Sequence, residues 1–208
     1  MEVKPQIREW WDNAEHDYDA IAAHGVHSEE EKELWTEAIT QILGTEQKLK
    51  ILDMGTGTGF LALLLTELGY DVTGADWAQS KLEKAKKKME IVGSSVNFVV
   101  EDAENLSFEA EKFDAVVSRH LIWTLANPAS AFKEWARVTK SGGKVLTDIP
   151  ARHSHPGNHH FGEEIGKELP FYNGADPGEI ISMFEAAGLV NVSVKVFNKM
   201  TLVEGEKA

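Results

Sequence analysis

The sequence predicts an α/β fold: a doubly wound, mainly parallel sheet of seven strands, the last one short, with helices on both faces, an N-terminal helical extension and an inserted lid. Three observations predict it. From Lys48 onward, short apolar runs alternate with segments of helical period. A glycine-rich turn joins the first such strand to the first helix, and acidic residues recur where strands end.

The elements follow in order. Ile7 to Leu43 has a helical pattern with a break around His24 to Ser28, and Gly44 is a C-terminal stop. Lys48 to Asp53 reads as a buried strand and Thr58 to Leu68 as an apolar helix. Tyr70 to Ala75 supplies the second strand. Gln79 to Val92 is a helix with Leu82, Ala85, Met89 and Val92 on one face, and Ser95 to Val100 is the third strand. Phe113 to Ser118 is the fourth strand. Asn127 and Pro128 start a helix running to about Thr139, because Asn caps an orphan N–H and Pro occupies the first turn at no loss. Gly142 and Gly143 then turn the chain into a fifth strand, Lys144 to Ile149. Pro150 to Asn173 is irregular and rich in histidine, and is read as an inserted lid. Asp176, Pro177 and Glu179 form a capping box ahead of a helix ending at Gly188. Val190 to Phe197 and Lys199 to Val203 pair as strands through a tight turn near Asn198. The chain thus reads as one domain: a helical cap over 1–45, a ligand-binding core over 46–149, a lid over 150–175, and a closing helix and strands over 176–208.

Composition narrows the function. With 21 basic against 34 acidic residues the formal charge is −13, which opposes a broad grip on nucleic-acid phosphates. The basic run Lys81 to Lys88 is expected to be a solvated helix face. No apolar run approaches the roughly 18 residues of a membrane span, and the first residues show no signal core, so a cytoplasmic protein without membrane insertion is expected. Cysteine is absent, which excludes a thiol nucleophile and thiolate metal sites.

The sharpest motif is Asp53-Met54-Gly55-Thr56-Gly57-Thr58-Gly59, whose bare turn lets a ligand approach backbone N–H groups. About twenty residues on, Asp76 closes the second strand, where a carboxylate can accept both ribose hydroxyls. Asp102 ends the third strand, where it can accept from an adenine amino group. The three acids fall on the edge at which open α/β sheets bind ligands.

These residues resemble the class I S-adenosylmethionine (SAM)-dependent methyltransferases, and more narrowly the small-molecule group that includes quinone-biosynthesis enzymes. The likeness extends over Lys48 to Phe197, including Phe113 to Ser118 and Trp135, Arg137, Val138, Gly142, Gly143 and Lys144. It implies SAM as cofactor: Asp53, Gly55, Thr56, Gly57 and Gly59 around its methionine part, Asp76 on the ribose, Trp77 beside the adenine, and Asp102 and the Ala103 N–H at the adenine edge. Trp11 and Tyr18-Asp19 resemble aromatic elements that fold over the cofactor, although Tyr18 serves equally well in helix packing. Ser118-Arg119-His120-Leu121 contains no Asn-Pro-Pro-Tyr element, which disfavours capture of a nucleic-acid base. The strand end there lacks an acidic metal cluster for catechol-type oxygen methylation, and Asp148 alone does not make a magnesium site.

The function expected is direct in-line transfer of a methyl group from SAM to a small-molecule acceptor. Arg119 is the candidate counterion for the methionine carboxylate, with Ser118 beside the amino group. His120 is the candidate proton acceptor, on the premise of an ordinary imidazole titrating near pH 6.5. Trp10, Trp11, Trp123, Phe161 and Tyr172 are candidates for an apolar substrate wall, with core packing as the plainer role. His155, His159 and His160 are weak candidates for a metal site against a polar lid, and no metal is expected. Two rivals remain open: a nicotinamide-dependent oxidoreductase, although Gly55, Gly57 and Gly59 depart from Gly-x-Gly-x-x-Gly, and a non-catalytic SAM-binding protein.

Overall fold

The computed structural model describes residues 3–13, 29–45, 48–149, 161–198 and 200–208. Among the described residues α1 (Val3–Asp12) and α2 (Glu29–Leu43) come first, then β1 (Lys50–Met54), α3 (Phe60–Glu67), β2 (Asp71–Asp76), α4 (Gln79–Val92), β3 (Asn97–Val100) and β4 (Phe113–Ser118). A single 3-10 turn, Ile122–Thr124, leads to α5 (Pro128–Val138), β5 (Thr139–Asp148), α6 (Gly162–Gly166), α7 (Pro177–Ala186), β6 (Leu189–Phe197) and β7 (Met200–Lys207). The seven strands form one sheet in the order β3-β2-β1-β4-β5-β7-β6. Only β7 opposes its neighbours; β3 to β5 are parallel, as a doubly wound fold requires.

Strand periodicity builds the two layers. Ile51, Ala115, Val117 and Leu146 face the side covered by α2, α3 and α4, where they meet Trp35, Ile39, Leu64 and Leu82. Leu52, Val116 and Val145 face the other side and meet Phe132, Trp135, Ile180 and Phe184 of α5 and α7. Both faces of the central strands are apolar, so β1 and β4 read as continuous hydrophobic runs.

The helix starts follow the expected chemistry. Ser130 N–H donates to Asn127 Oδ1 at 3.1 Å with Pro128 in the first turn, and Asp176 with Glu179 completes a capping box. The turn expected at Gly142 and Gly143 lies inside β5 instead. The register against β4 jumps between Phe113 and Ala115, so the glycines form a bulge. Gly143 is required there, because a Cβ would stand 2.6 Å from the Asp114 carbonyl oxygen. Of the segment expected as a lid, 161–175 is described and contains α6; 150–160 lies outside the described residues, as does the expected helix break at 24–28.

Strands β1, β2 and β4 are adjacent and end together, and β1 lies between β2 and β4, which continue the sheet in opposite directions. That is the switch point at which such sheets open a crevice.

Candidate active site

The crevice floor is the loop after β1. Gly55 and Thr56 both donate their N–H to the Ala75 carbonyl, at 2.8 and 3.0 Å, which stitches the loop to β2. Gly57 has φ +52, and a Cβ there would meet nothing within 4 Å, so its α-carbon faces open space beside the cavity it lines. The Gly57 N–H donates to Asp76 Oδ2 at 2.9 Å, and Ala78 N–H donates to Oδ1 of the same carboxylate at 2.9 Å. Burial pushes the Asp76 carboxyl above its ordinary value; those N–H groups and the Lys81 charge oppose the shift.

Asp53 and Gly59 sit elsewhere. Asp53 is 1% exposed beneath the loop, where its Oδ2 accepts from Thr56 Oγ1 at 2.6 Å. Burial raises its carboxyl to about 7. It braces the loop and does not line the cavity. Gly59 has φ +90, and its Cβ would stand 3.1 Å from Met89 Cε and 3.2 Å from Ala85 Cβ, so it lets α3 approach α4.

On the β3 side, the strand ends at Val100, and Asp102 lies two residues beyond, in an isolated bridge with Asn105. Asp102, Ala103, Trp77, Leu121 and Leu125 line this part of the cavity. Asp102 is engaged by a residue ninety-eight positions away: Lys4 Nζ of α1 lies 2.6 Å from its Oδ2 and 2.9 Å from Glu104 Oε2. Burial pulls the Lys4 ammonium down, but hydrogen bonds to Asp102 and Glu104 carry it above its ordinary value. At its other end α1 is held by Asp12, whose Oδ1 accepts from Ser80 N–H at 2.9 Å. Trp11 lies between these anchors and lines the cavity, with Lys81 Nζ 5.9 Å from its ring centroid.

Lys81 corrects one expectation. It was grouped with a solvated basic face, yet it is 3% exposed and lines the cavity, because the N-terminal end of α4 is covered by α1.

At the end of β4, Ser118 is buried and does not line the cavity, and its Oγ has no hydrogen-bond partner among the described residues. Arg119 and His120 do line it. The Arg119 guanidinium pairs with Glu31 of α2 and stacks 4.5 Å from the Phe60 ring centroid. His120 takes a left-handed backbone, φ +54; its N–H donates to Asp148 Oδ1 at 2.7 Å, and Nε2 lies 3.4 Å from Asp148 Oδ2. The premise of an ordinary imidazole does not hold. Burial first, then the Arg119 charge, push its pKa down to about 3, so the ring is neutral throughout the physiological range.

The aromatic candidates cluster against one another. Trp123 stacks on Phe161 with centroids 5.5 Å apart, and Tyr172 and Trp11 pack at 5.9 and 6.0 Å from Trp123. Trp10 meets Phe161 edge-on at 5.1 Å. Of this group only Trp11 lines the cavity; Trp123, Phe161 and Tyr172 form a small core around Ile7 that seats α1. Tyr18, His155, His159 and His160 lie outside the described residues.

Comparison with known proteins bears on this geometry. A methyltransferase-domain family matches residues 52–147, the stretch holding the glycine loop, all three acids, Arg119 and His120. Demethylmenaquinone methyltransferase of Staphylococcus aureus (strain JH9) is 28% identical over 93% of this chain and 89% of its own length. These likenesses support a SAM-dependent methyltransferase.

They also support SAM as the cofactor. A second relative, demethylmenaquinone methyltransferase of Paenarthrobacter aurescens, is 27% identical over 75% of the chain, which there spans only 58% of the relative. The fold also matches phosphoethanolamine N-methyltransferase 2 of Haemonchus contortus, solved with phosphomonomethylethanolamine and S-adenosylhomocysteine (TM-score 0.74, 19% identity, 97% of this chain, 60% of that one). The methyltransferase residues present suit the cofactor. Gly57 leaves a bare cradle, the Asp76 carboxylate keeps acceptor capacity beyond its two backbone partners, and Trp77, Leu121 and Leu125 offer apolar walls for a ring. Lys4, Glu31 and Lys81 were missed as site residues from sequence, and Asp148 was weighed only as a metal ligand; each reaches the site by a long-range contact that no local motif encodes.

Proposed function

We propose that the chain transfers a methyl group from SAM to a small-molecule acceptor by direct displacement, without a covalent enzyme intermediate. The observation that carries this reading is the Gly57–Asp76 pairing beside a bare α-carbon at the sheet's switch point. The names of the demethylmenaquinone relatives support a small acceptor, and so does the charge of −13, which suits a nucleic-acid substrate poorly.

The roles we assign are these. Asp76 holds the ribose; Trp77, Leu121 and Leu125 flank the adenine; Asp102 and the Ala103 N–H meet its edge. Gly55, Thr56 and Gly57 receive the methionine part, with Asp53 bracing the loop from below. Arg119, already aligned by Glu31 and Phe60, supplies the positive charge for the methionine carboxylate. When bound, SAM supplies an electrophilic methyl group on a sulfonium, so the protein chiefly aligns the acceptor and excludes water. Trp11 and the aromatic core behind it keep that side of the cavity dry. His120, at the cavity wall, is the residue we assign to take the proton that the acceptor releases; burial and the Arg119 charge make its imidazole a weak base, so the role requires a neighbouring anion to balance the imidazolium. In this division α1 and α2 belong to the cap, and the described part of the lid segment, 161–175, packs against α1 through Phe161 and Leu169.

The test is turnover with methyl-labelled SAM and a small-molecule extract, read by mass spectrometry. S-adenosylhomocysteine should appear in step with one labelled product. Binding of SAM without any labelled product would leave a non-catalytic binder, and thermal stabilisation by NAD in place of SAM would point to an oxidoreductase.

A further inference from the structure

Asp148 is a buried ionisable group at the site that the mechanism above leaves without a task. It ends β5, and because Ser118 of β4 pairs in register with Thr147, the ends of these parallel strands bring His120 and Asp148 together. The carboxylate holds His120 at one point and approaches it at a second: Oδ1 accepts the His120 backbone N–H at 2.7 Å, and Oδ2 lies 3.4 Å from Nε2 of the same side chain, a gap not closed into a hydrogen bond. Catalytic hydrogen bonds are often long before substrate docks. The grip coincides with strain, since a non-glycine residue at φ +54 pays for its conformation unless its surroundings impose it. The carboxylate is 7% exposed, between β4 and β7 within the sheet.

We infer that Asp148 is a positioning residue for methyl transfer: it fixes the left-handed turn at His120 and keeps the imidazole proton on Nε2, so that the lone pair resides on Nδ1. The inference rests on reading His120 as the proton acceptor. A neutral imidazole carries one N–H and one lone pair, and an ionised carboxylate can only accept, so it selects the tautomer with Nε2–H. The acceptor's proton then passes to Nδ1, and the imidazolium so formed is balanced by the Asp148 charge. Burial raises Asp148 to about 6, which leaves it ionised above neutrality while the ring is neutral, the charge state this arrangement needs.

Asp148→Asn separates orientation from mere structure. The amide oxygen can still accept the backbone N–H, but the amide N–H₂ now faces Nε2 and forces the proton to Nδ1. With methyl-labelled SAM and the acceptor identified from extract, kcat should fall about 100-fold, within the range for a lost proton acceptor, with KM and SAM affinity within about threefold of wild type. Nitrogen-15 NMR of histidine-labelled protein, assigned by difference against His120→Ala, should show protonation moving from Nε2 to Nδ1. The double variant should be no slower than His120→Ala alone. Wild-type kcat in Asp148→Asn with an unmoved tautomer overturns the inference while a slow His120→Ala preserves the mechanism; full turnover by His120→Ala overturns both. Should Asp148→Asn fail to fold, the wild-type spectrum decides, since protonation at Nδ1 contradicts the assignment.

Discussion

The two glycines at either end of the loop should fail in opposite ways when replaced by alanine. At Gly57, φ is +52 and a Cβ meets nothing within 4 Å, so the folded state bears only left-handed backbone strain, about 1 kcal/mol. For a chain of this size that lowers Tm by about 2–4 °C. The new methyl group nevertheless stands beside the cavity that receives the methionine part of SAM, and SAM affinity should drop at least about tenfold, equivalent to 1.4 kcal/mol. At Gly59, φ is +90 and the Cβ meets Met89 Cε at 3.1 Å and Ala85 Cβ at 3.2 Å. Strain and overpacking together cost roughly 2–4 kcal/mol, or about 4–16 °C, because Met89 can give way but Ala85 cannot. Here SAM affinity should stay within about threefold, since Gly59 is turned to α4. Calorimetric melts without ligand and titration calorimetry with SAM read the two quantities separately. The division of labour collapses if Gly57→Ala binds SAM like wild type, or if Gly59→Ala loses SAM while melting normally.

Further outcomes follow from the buried charges. Asp53 has a carboxyl raised to about 7, so the folded state holds its proton more tightly than the unfolded chain, and the associated stability, complete below about pH 4, is lost as pH rises towards 7. Asp53→Asn removes that dependence: its stability relative to wild type should rise by on the order of 3 kcal/mol between pH 4 and pH 8 in urea titrations, and a pH-independent difference would count against the buried acid. Arg119→Met should weaken S-adenosylhomocysteine about 10- to 100-fold, the loss of one charge-assisted pair, yet leave 5′-methylthioadenosine, which has no carboxylate, within about twofold. Equal loss for both ligands would remove Arg119 as the carboxylate counterion.

Local chemistry made much of the fold readable. Asn127-Pro128 and Asp176-Pro177-Glu179 announce helix starts through side chains that satisfy orphan N–H groups, and both caps form. The apolar runs at β1 and β4 are covered on both faces, which is why they read as buried strands. The loop from Gly55 to Gly57 and the acid Asp76 were legible as a site because ligand, turn and strand end are coupled within one βαβ unit. What escaped notice depends on α1, α2 and β5 arriving from elsewhere. Lys81 reads as one of a run of surface lysines, and only the landing of α1 on the start of α4 buries it. The pairs Lys4–Asp102 and Glu31–Arg119 join residues 98 and 88 positions apart, and neither Lys4 nor Glu31 carries a local signature. His120 was recognisable by its place after β4, but its lowered pKa comes from burial and from the orientation of Arg119, which residue type does not reveal. The aromatics around Trp123 illustrate the same limit: composition offers a substrate wall, and packing makes most of them a seat for α1.

The central claim is that the crevice at the ends of β1, β2 and β4 holds SAM through Asp76 and the bare loop at Gly57. Titration calorimetry of SAM into the wild-type chain and into Asp76→Ala tests it most directly. The account predicts one equivalent bound by the wild type and a loss of at least about 100-fold in the variant, as befits a charged acceptor removed from two hydroxyls. Undiminished SAM binding by Asp76→Ala, or no binding by the wild type, would contradict it.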